Sequence, residues 1–214
     1  MVRAGSLPHP PDLPPLVVLL PDGALMATNP AFAPLLKGQP VIPVIAVERL
    51  EDAVPLARAL AAGGMKVIEL TLRTPVALAA CREIVRECPE TVLGIGTILT
   101  PDQVTQSVDI GAKFLVTPGT SEKLAQKMAD CGAACLPGSA TVSEMVQLME
   151  WGFSEMKFFP AGPAGGLEYL KAVAGPIPEL RFCPTGGVSP LNAPDYLAQP
   201  NILCVGGSWI APKA

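Results

Sequence analysis

Histidine is almost missing from this sequence: His9 is the only one, and it lies in a proline-rich tail. A Ser-His-Asp triad, a Cys-His pair and a multi-histidine metal site therefore cannot be assembled within one subunit. If the chain is an enzyme, its proton transfers fall to carboxylates, lysine, tyrosine or water. Charge is scarce too. Asp, Glu, Lys and Arg make up 16% of the residues and the net charge is -4, so the basic footprint that nucleic acid demands is absent. No stretch approaches the roughly 20 apolar residues of a membrane span. The cysteines (Cys81, Cys88, Cys131, Cys135, Cys183 and Cys204) form no C-x-x-C pair. Their scatter provides neither a zinc site nor a disulfide framework, and a reduced, cytoplasmic protein is the natural reading. A dinucleotide fingerprint is also incomplete: Gly94 and Gly96 are in place, but Leu99 stands where the third glycine belongs.

What is present is a chain of 214 residues, half of them apolar, enough for one large domain with a sizeable core. Residues 1–29 read as an irregular extension, punctuated by Pro8, Pro10, Pro11, Pro14, Pro15 and Pro21. The apolar run 16–20 is too short for a signal-peptide core. A second unit, 30–214, carries the fold. A short helix is expected within 30–38. Strand-like runs then follow at 41–47, 66–72, 92–97, 113–117, 133–136, 155–159, 180–183 and 202–205, with helix-like runs between them at 50–62, 75–87, 101–110, 121–130, 142–150, 166–173 and 191–197. Thr74-Pro75, Thr100-Pro101 and Ser189-Pro190 each place a capping residue ahead of a proline. Strict alternation predicts an α/β fold with a parallel sheet and outer helices, and eight such units favour a closed (β/α)8 barrel over an open doubly wound sheet.

In a barrel, chemistry gathers where the strands end. Lys157 sits in the apolar run Glu155-Met156-Lys157-Phe158-Phe159-Pro160. A lysine is a nucleophile toward a ketone only as the free amine, and dry surroundings favour that form; the alternative is a strand-end lysine that snorkels to water. Glu69 lies between Ile68 and Leu70 in a strand. A carboxylate there is either a general base or one half of a salt bridge to Lys66, Arg73 or Lys157. Arg73, just after the same strand, is an anion clamp or a surface arginine. Gly186-Gly187 and Gly206-Gly207-Ser208 follow the last two strands, where bare backbone N–H groups can approach a phosphate.

Seven segments in order resemble one family. They are Val41-Ile42-Pro43-Val44-Ile45, Ile68-Glu69-Leu70-Thr71-Leu72-Arg73-Thr74, Gly94-Ile95-Gly96-Thr97, Thr117-Pro118-Gly119, Lys157-Phe158-Phe159-Pro160-Ala161, Arg181-Phe182-Cys183-Pro184-Thr185-Gly186-Gly187 and Gly206-Gly207-Ser208-Trp209. They look like the 2-keto-3-deoxy-6-phosphogluconate (KDPG) and 4-hydroxy-2-oxoglutarate aldolases. The resemblance implies a class I aldolase of the Entner–Doudoroff pathway, built as a homotrimer of (β/α)8 barrels and acting on a phosphorylated keto-acid with no metal or other cofactor. It assigns Lys157 to the Schiff base and Glu69 to acid/base transfer. Substrate binding falls to Arg73 with Gly186, Gly187 and Ser208 at the phosphate, Thr97 at the pyruvate carboxylate, Thr185 at a substrate hydroxyl, Phe159 over the carbon chain, and Pro118. Thr71, Arg73 and Thr185 match the gluconate-type pattern rather than that of the galactonate epimer. The family normally continues with another helix after the eighth strand, whereas this sequence stops at Ala214, so the barrel is expected to lack its last outer helix. Residues 16–20 are a candidate to cover the gap. A phosphate-binding barrel with impaired catalysis is the alternative.

Overall fold

A computed structural model describes residues 29–211. The proline-rich extension and the end of the chain, with the expectations made for them, lie outside these residues apart from Asn29 and the first part of the last segment. The alternation of strand and helix is observed. A short helix α1 (Ala33–Leu36) precedes β1 (Val41–Ile45); a 3-10 turn leads into α2 (Ala53–Ala62), then β2 (Val67–Thr71), α3 (Ala77–Glu87), β3 (Val92–Gly96), α4 (Pro101–Ile110), β4 (Phe114–Val116) and α5 (Glu122–Ala129). The second half runs β5 (Ala134–Leu136), β6 (Gly138–Ser139), α6 (Val142–Glu150), β7 (Glu155–Phe158), α7 (Gly166–Val173), β8 (Arg181–Pro184), α8 (Ala193–Leu197) and β9 (Val205–Gly207).

Every pairing is parallel. One sheet has the order β5-β4-β3-β2-β1-β9 and the other β6-β7-β8. β5 falls within the strand expected at 133–136, and β6 is a short strand beyond it that was not expected; the two flank Pro137, which has no N–H for a ladder. Isolated bridges at Phe182–Ile202 and Thr185–Gly206 link β8 to the segment that enters β9 and to β9 itself. The last strand was expected at 202–205 but runs Val205–Gly207. Glycine is depleted in strands, so Gly206 and Gly207 read as loop, yet they pair with Ile42 and Pro43.

Helix starts explain themselves unevenly. Thr100 and Gln103 form a reciprocal capping box on α4, and Thr141 with Glu144 forms another on α6. Thr74 and Ser189 do not cap. Thr74 donates its hydroxyl to the Val47 carbonyl at 2.7 Å, and α3 begins three residues later. The Ser189 N–H donates to Asn192 Oδ1 at 2.8 Å ahead of α8.

Side-chain alternation divides the core. Ile68 and Leu70, Leu115, Met156 and Phe158, and Phe182 pack outward against the helices. Ile42, Val67, Phe114, Val116, Ala134, Leu136, Cys183 and Cys204 form a second, inner cluster, closed at the start of the strands by Phe32 and Leu36. Phe32 meets the Phe114 ring edge-on at 4.9 Å. By the same period of two, Glu69 shares the inner face with Val67.

Candidate active site

The centre is supplied by two strands that share no ladder. Glu69 sits in β2 and Lys157 in β7, in different sheets. Yet Lys157 Nζ lies 3.1 Å from Glu69 Oε1 and 3.4 Å from Oε2. The two sheets therefore curl toward each other around a common interior. Lys157 is only 3% exposed and Glu69 only 2%. Desolvation offsets most of the attraction in such a pair, so it is a weak source of stability and calls for a chemical reason.

Glycines on neighbouring strands make room for it. A Cβ on Gly96 would stand 2.0 Å from Glu69 Oε1, and one on Gly94, which pairs with Glu69, would collide with the Phe114 ring at 2.2 Å. On the other side, Gly138 pairs with Lys157. A Cβ on Gly138 would meet the Pro118 carbonyl carbon at 2.4 Å, which sets half-buried Pro118 one strand away from the lysine.

Phe159 flanks the amine, with its ring centroid 5.5 Å from Lys157 Nζ. The loop after β7 is stitched to the loop after β8 by Ala161 N–H to Thr185 O and Gly162 N–H to Gly186 O, both 2.8 Å. Gly186 and Gly187 take φ of 87° and 84°, a conformation glycine adopts without steric cost. Thr185 is buried, and its Oγ1 occupies the space that a Cβ on Gly206 would fill at 2.3 Å. Ser208 is the first residue past β9 and is exposed.

Arg73 is exposed, and its Nε donates to Thr97 Oγ1 at 3.3 Å. Thr97 itself is left-handed, with φ of 58°. The segment that carries Arg73 is tied down by Thr71, whose hydroxyl donates to Ile45 O at 2.9 Å, and by Thr74. The structure thus brings Lys157, Glu69 and Phe159 together, joins Arg73 to Thr97, and gathers Thr185, Gly186 and Gly187 beside the loop of Phe159. Gly96 and Gly138 were not singled out from sequence as parts of the site. The available signal was a glycine inside or beside a strand, which marks a close approach. Among the described residues no cluster of three or more His, Cys, Asp or Glu side chains is arranged to hold a metal ion, and no helix is long and apolar enough to cross a membrane.

Comparison with known proteins places this arrangement. Residues 33–214 match the family model described as KDPG and KHG aldolase, where KHG is 4-hydroxy-2-oxoglutarate. The KHG/KDPG aldolase of Escherichia coli is 49% identical over 173 residues, 81% of each chain. The 2-dehydro-3-deoxy-phosphogluconate aldolase of Dickeya dadantii is 47% identical over 178 residues, covering 83% of this chain and 84% of the relative. A crystal structure of the KDPG aldolase of Legionella pneumophila, with pyruvate captured at low pH as a covalent carbinolamine, superposes with a TM-score of 0.82 at 45% identity, over 85% of this chain and 88% of the other. The chain belongs to the KDPG and KHG aldolase family.

Proposed function

We propose that this chain cleaves KDPG to pyruvate and glyceraldehyde 3-phosphate through a Schiff base on Lys157, and that it also cleaves 4-hydroxy-2-oxoglutarate to pyruvate and glyoxylate. The observation that carries this reading is the buried contact between Lys157 Nζ and the Glu69 carboxylate at 3.1 Å. A dry amine beside a carboxylate is what an iminium mechanism needs: a nucleophile and a proton carrier within reach of one carbon chain. The relatives bear names for this reaction, and the Legionella structure holds pyruvate as a carbinolamine, the species that precedes an iminium.

In this reading Lys157 passes a proton to Glu69, and the free amine attacks the C2 ketone. The carbinolamine oxygen takes a proton from Glu69 and leaves as water, giving the iminium. The Glu69 carboxylate then removes the C4 hydroxyl proton. The C3–C4 bond breaks, its electrons flow to the iminium nitrogen, and glyceraldehyde 3-phosphate departs. Protonation of the enamine at C3 and hydrolysis release pyruvate and restore the amine.

Binding roles follow position. Arg73 bonded to Thr97 favours a joint clamp on the pyruvate carboxylate, a revision of the expectation that Arg73 serves the phosphate. Gly186, Gly187 and Ser208 then take the phosphate, through backbone N–H groups and the hydroxyl. Thr185 faces the substrate hydroxyl, Phe159 covers the carbon chain, and Pro118 lines the wall near Lys157. The two curled sheets and their bridges support one closed (β/α)8 barrel, and we extend the reading to a homotrimer in the cytoplasm.

Borohydride reduction in the presence of pyruvate tests the reading. Wild-type protein should gain a pyruvyl adduct on Lys157, and Lys157→Ala should gain none. Pyruvate release from KDPG and from 4-hydroxy-2-oxoglutarate then measures the preference. An unmodified Lys157 in wild-type protein would leave only a phosphate-binding barrel.

A further inference from the structure

A pair of cysteines lies on the opposite side of the sheet from Lys157 and Glu69. Cys131 follows α5 and Cys135 belongs to β5, with Gly132 (φ of 72°) turning the chain between them. Their sulfurs are 3.7 Å apart, in van der Waals contact. Both thiols approach the Ala133 carbonyl, at 3.8 and 3.4 Å, which holds the two sulfurs on one side of the turn. Cys135 packs with the outer core, facing away from the interior that holds Lys157 and Glu69. It is 4% exposed, whereas Cys131 is half-buried and lines a surface cavity of about 310 Å3 with Pro30, Ala31, Val108 and Lys113. One sulfur is thus reachable from solvent and the other waits behind it, an arrangement common in redox-sensing thiol pairs.

We propose that Cys131 and Cys135 are a hydroperoxide-reactive dithiol, with Cys131 the sulfur that is oxidised first and Cys135 the sulfur that closes a disulfide onto it. A hydrogen bond from the Cys135 thiol brings the Cys131 thiol down to about 7 against the effect of burial, helped by the Ala133 backbone and Lys127. The same bond and burial push the Cys135 thiol up. Of the two sulfurs, Cys131 is the one favoured as thiolate, with Cys135 the one that keeps its proton.

The chemistry balances. The Cys131 thiolate attacks one peroxide oxygen, the O–O bond breaks, and the departing oxygen takes a proton and leaves as water or an alcohol. Cys131 becomes a sulfenic acid. The Cys135 sulfur then attacks the Cys131 sulfur, the S–O bond breaks, and the hydroxide leaves as water with the Cys135 proton. Two thiols lose two electrons and two protons, and the hydroperoxide accepts both. A reduced compartment reopens the bond, consistent with transient disulfides in such settings.

The test treats the full chain with stoichiometric hydrogen peroxide, followed by differential alkylation and tryptic mass mapping. Residues 128–157 form one tryptic peptide that holds Cys131 and Cys135 and no other cysteine. Both cysteines in that peptide should become reducible-only at least about tenfold faster than Cys81, whose thiol burial pushes up to about 12. Cys135→Ser should instead trap a sulfenic acid on Cys131, and Cys131→Ser should abolish the fast phase. Oxidation of the pair no faster than Cys81 in the wild-type chain overturns the proposal. The readout is thiol chemistry, so it is independent of aldol cleavage.

Discussion

Glu69 Oε1 lies 2.0 Å from the point where a Cβ on Gly96 would stand. The carboxylate that reaches Lys157 does so only because its neighbour on β3 has no side chain. Gly96→Ala should force Glu69 out of contact with Lys157, since the clash is with the carboxylate and not with a side-chain end free to swing into solvent. A displacement of about 1 Å at a reacting group lowers turnover by about 100-fold. Pyruvate release from KDPG checks this, with the folded state confirmed by circular dichroism. Wild-type kcat in Gly96→Ala would show that the position of Glu69 is not critical.

The buried pair sets stability against chemistry. Lys157→Met or Glu69→Leu alone strands one partner in the interior and should destabilise by about 3–5 kcal/mol. The double variant removes both charges and replaces them with side chains that suit the inner cluster. It should recover at least half of the loss while cleavage stays absent. Urea denaturation of the four proteins forms the cycle; additive losses would mean that the two groups do not interact in the folded state.

Thr97 combines left-handed backbone with a polar role. Left-handed backbone in a non-glycine residue costs about 1–2 kcal/mol, and glycine would remove that strain while giving up about 0.5–1 kcal/mol in chain entropy. Thr97→Gly should therefore stay within about 1 kcal/mol of wild type. It also removes the hydroxyl that accepts from Arg73. The expected result is an unchanged melting temperature with a raised KM, read from thermal denaturation and steady-state kinetics. An unchanged KM would argue against a carboxylate clamp.

Much of this was legible in the sequence because periodicity and turn residues act locally. β7 was placed within one residue, and α4, α6 and α7 were placed end to end. The misses have physical causes. Gly138 and Ser139 pair with β7, and Gly206 and Gly207 with β1, despite the poor strand propensity of glycine. Thr74 fitted a cap by spacing, but its hydroxyl donates instead to the Val47 carbonyl just past β1. For the site, Glu69 was visible as a charge in a strand, with Lys157 one of three partners weighed for it. Which partner it meets depends on how the sheets curl, and that is set by contacts distant in sequence. The link from Arg73 to Thr97 was hidden for the same reason.

Glu155 provides a pH test at the start of β7, away from the loops that carry the site. Its carboxylate accepts hydrogen bonds from the backbone N–H groups of Phe32 and, at 3.2 Å, Ala33. Burial raises its pKa above the usual 4.5, although those two N–H groups and the nearby Arg181 pull the other way. A raised carboxyl pKa means that the folded chain holds a proton more tightly than the unfolded chain. The resulting stabilisation is complete below the unfolded value and is lost as pH rises through the folded one. Glu155→Gln keeps an acceptor for the two N–H groups and removes the titration. Wild-type stability relative to this variant should therefore be greatest in acid, decline above pH 4.5 and then level off. Urea midpoints of both proteins between about pH 4 and 8 measure the difference. A flat difference across that range would mean that Glu155 binds its proton equally well folded and unfolded, and that the seal around Phe32 does not depend on its charge.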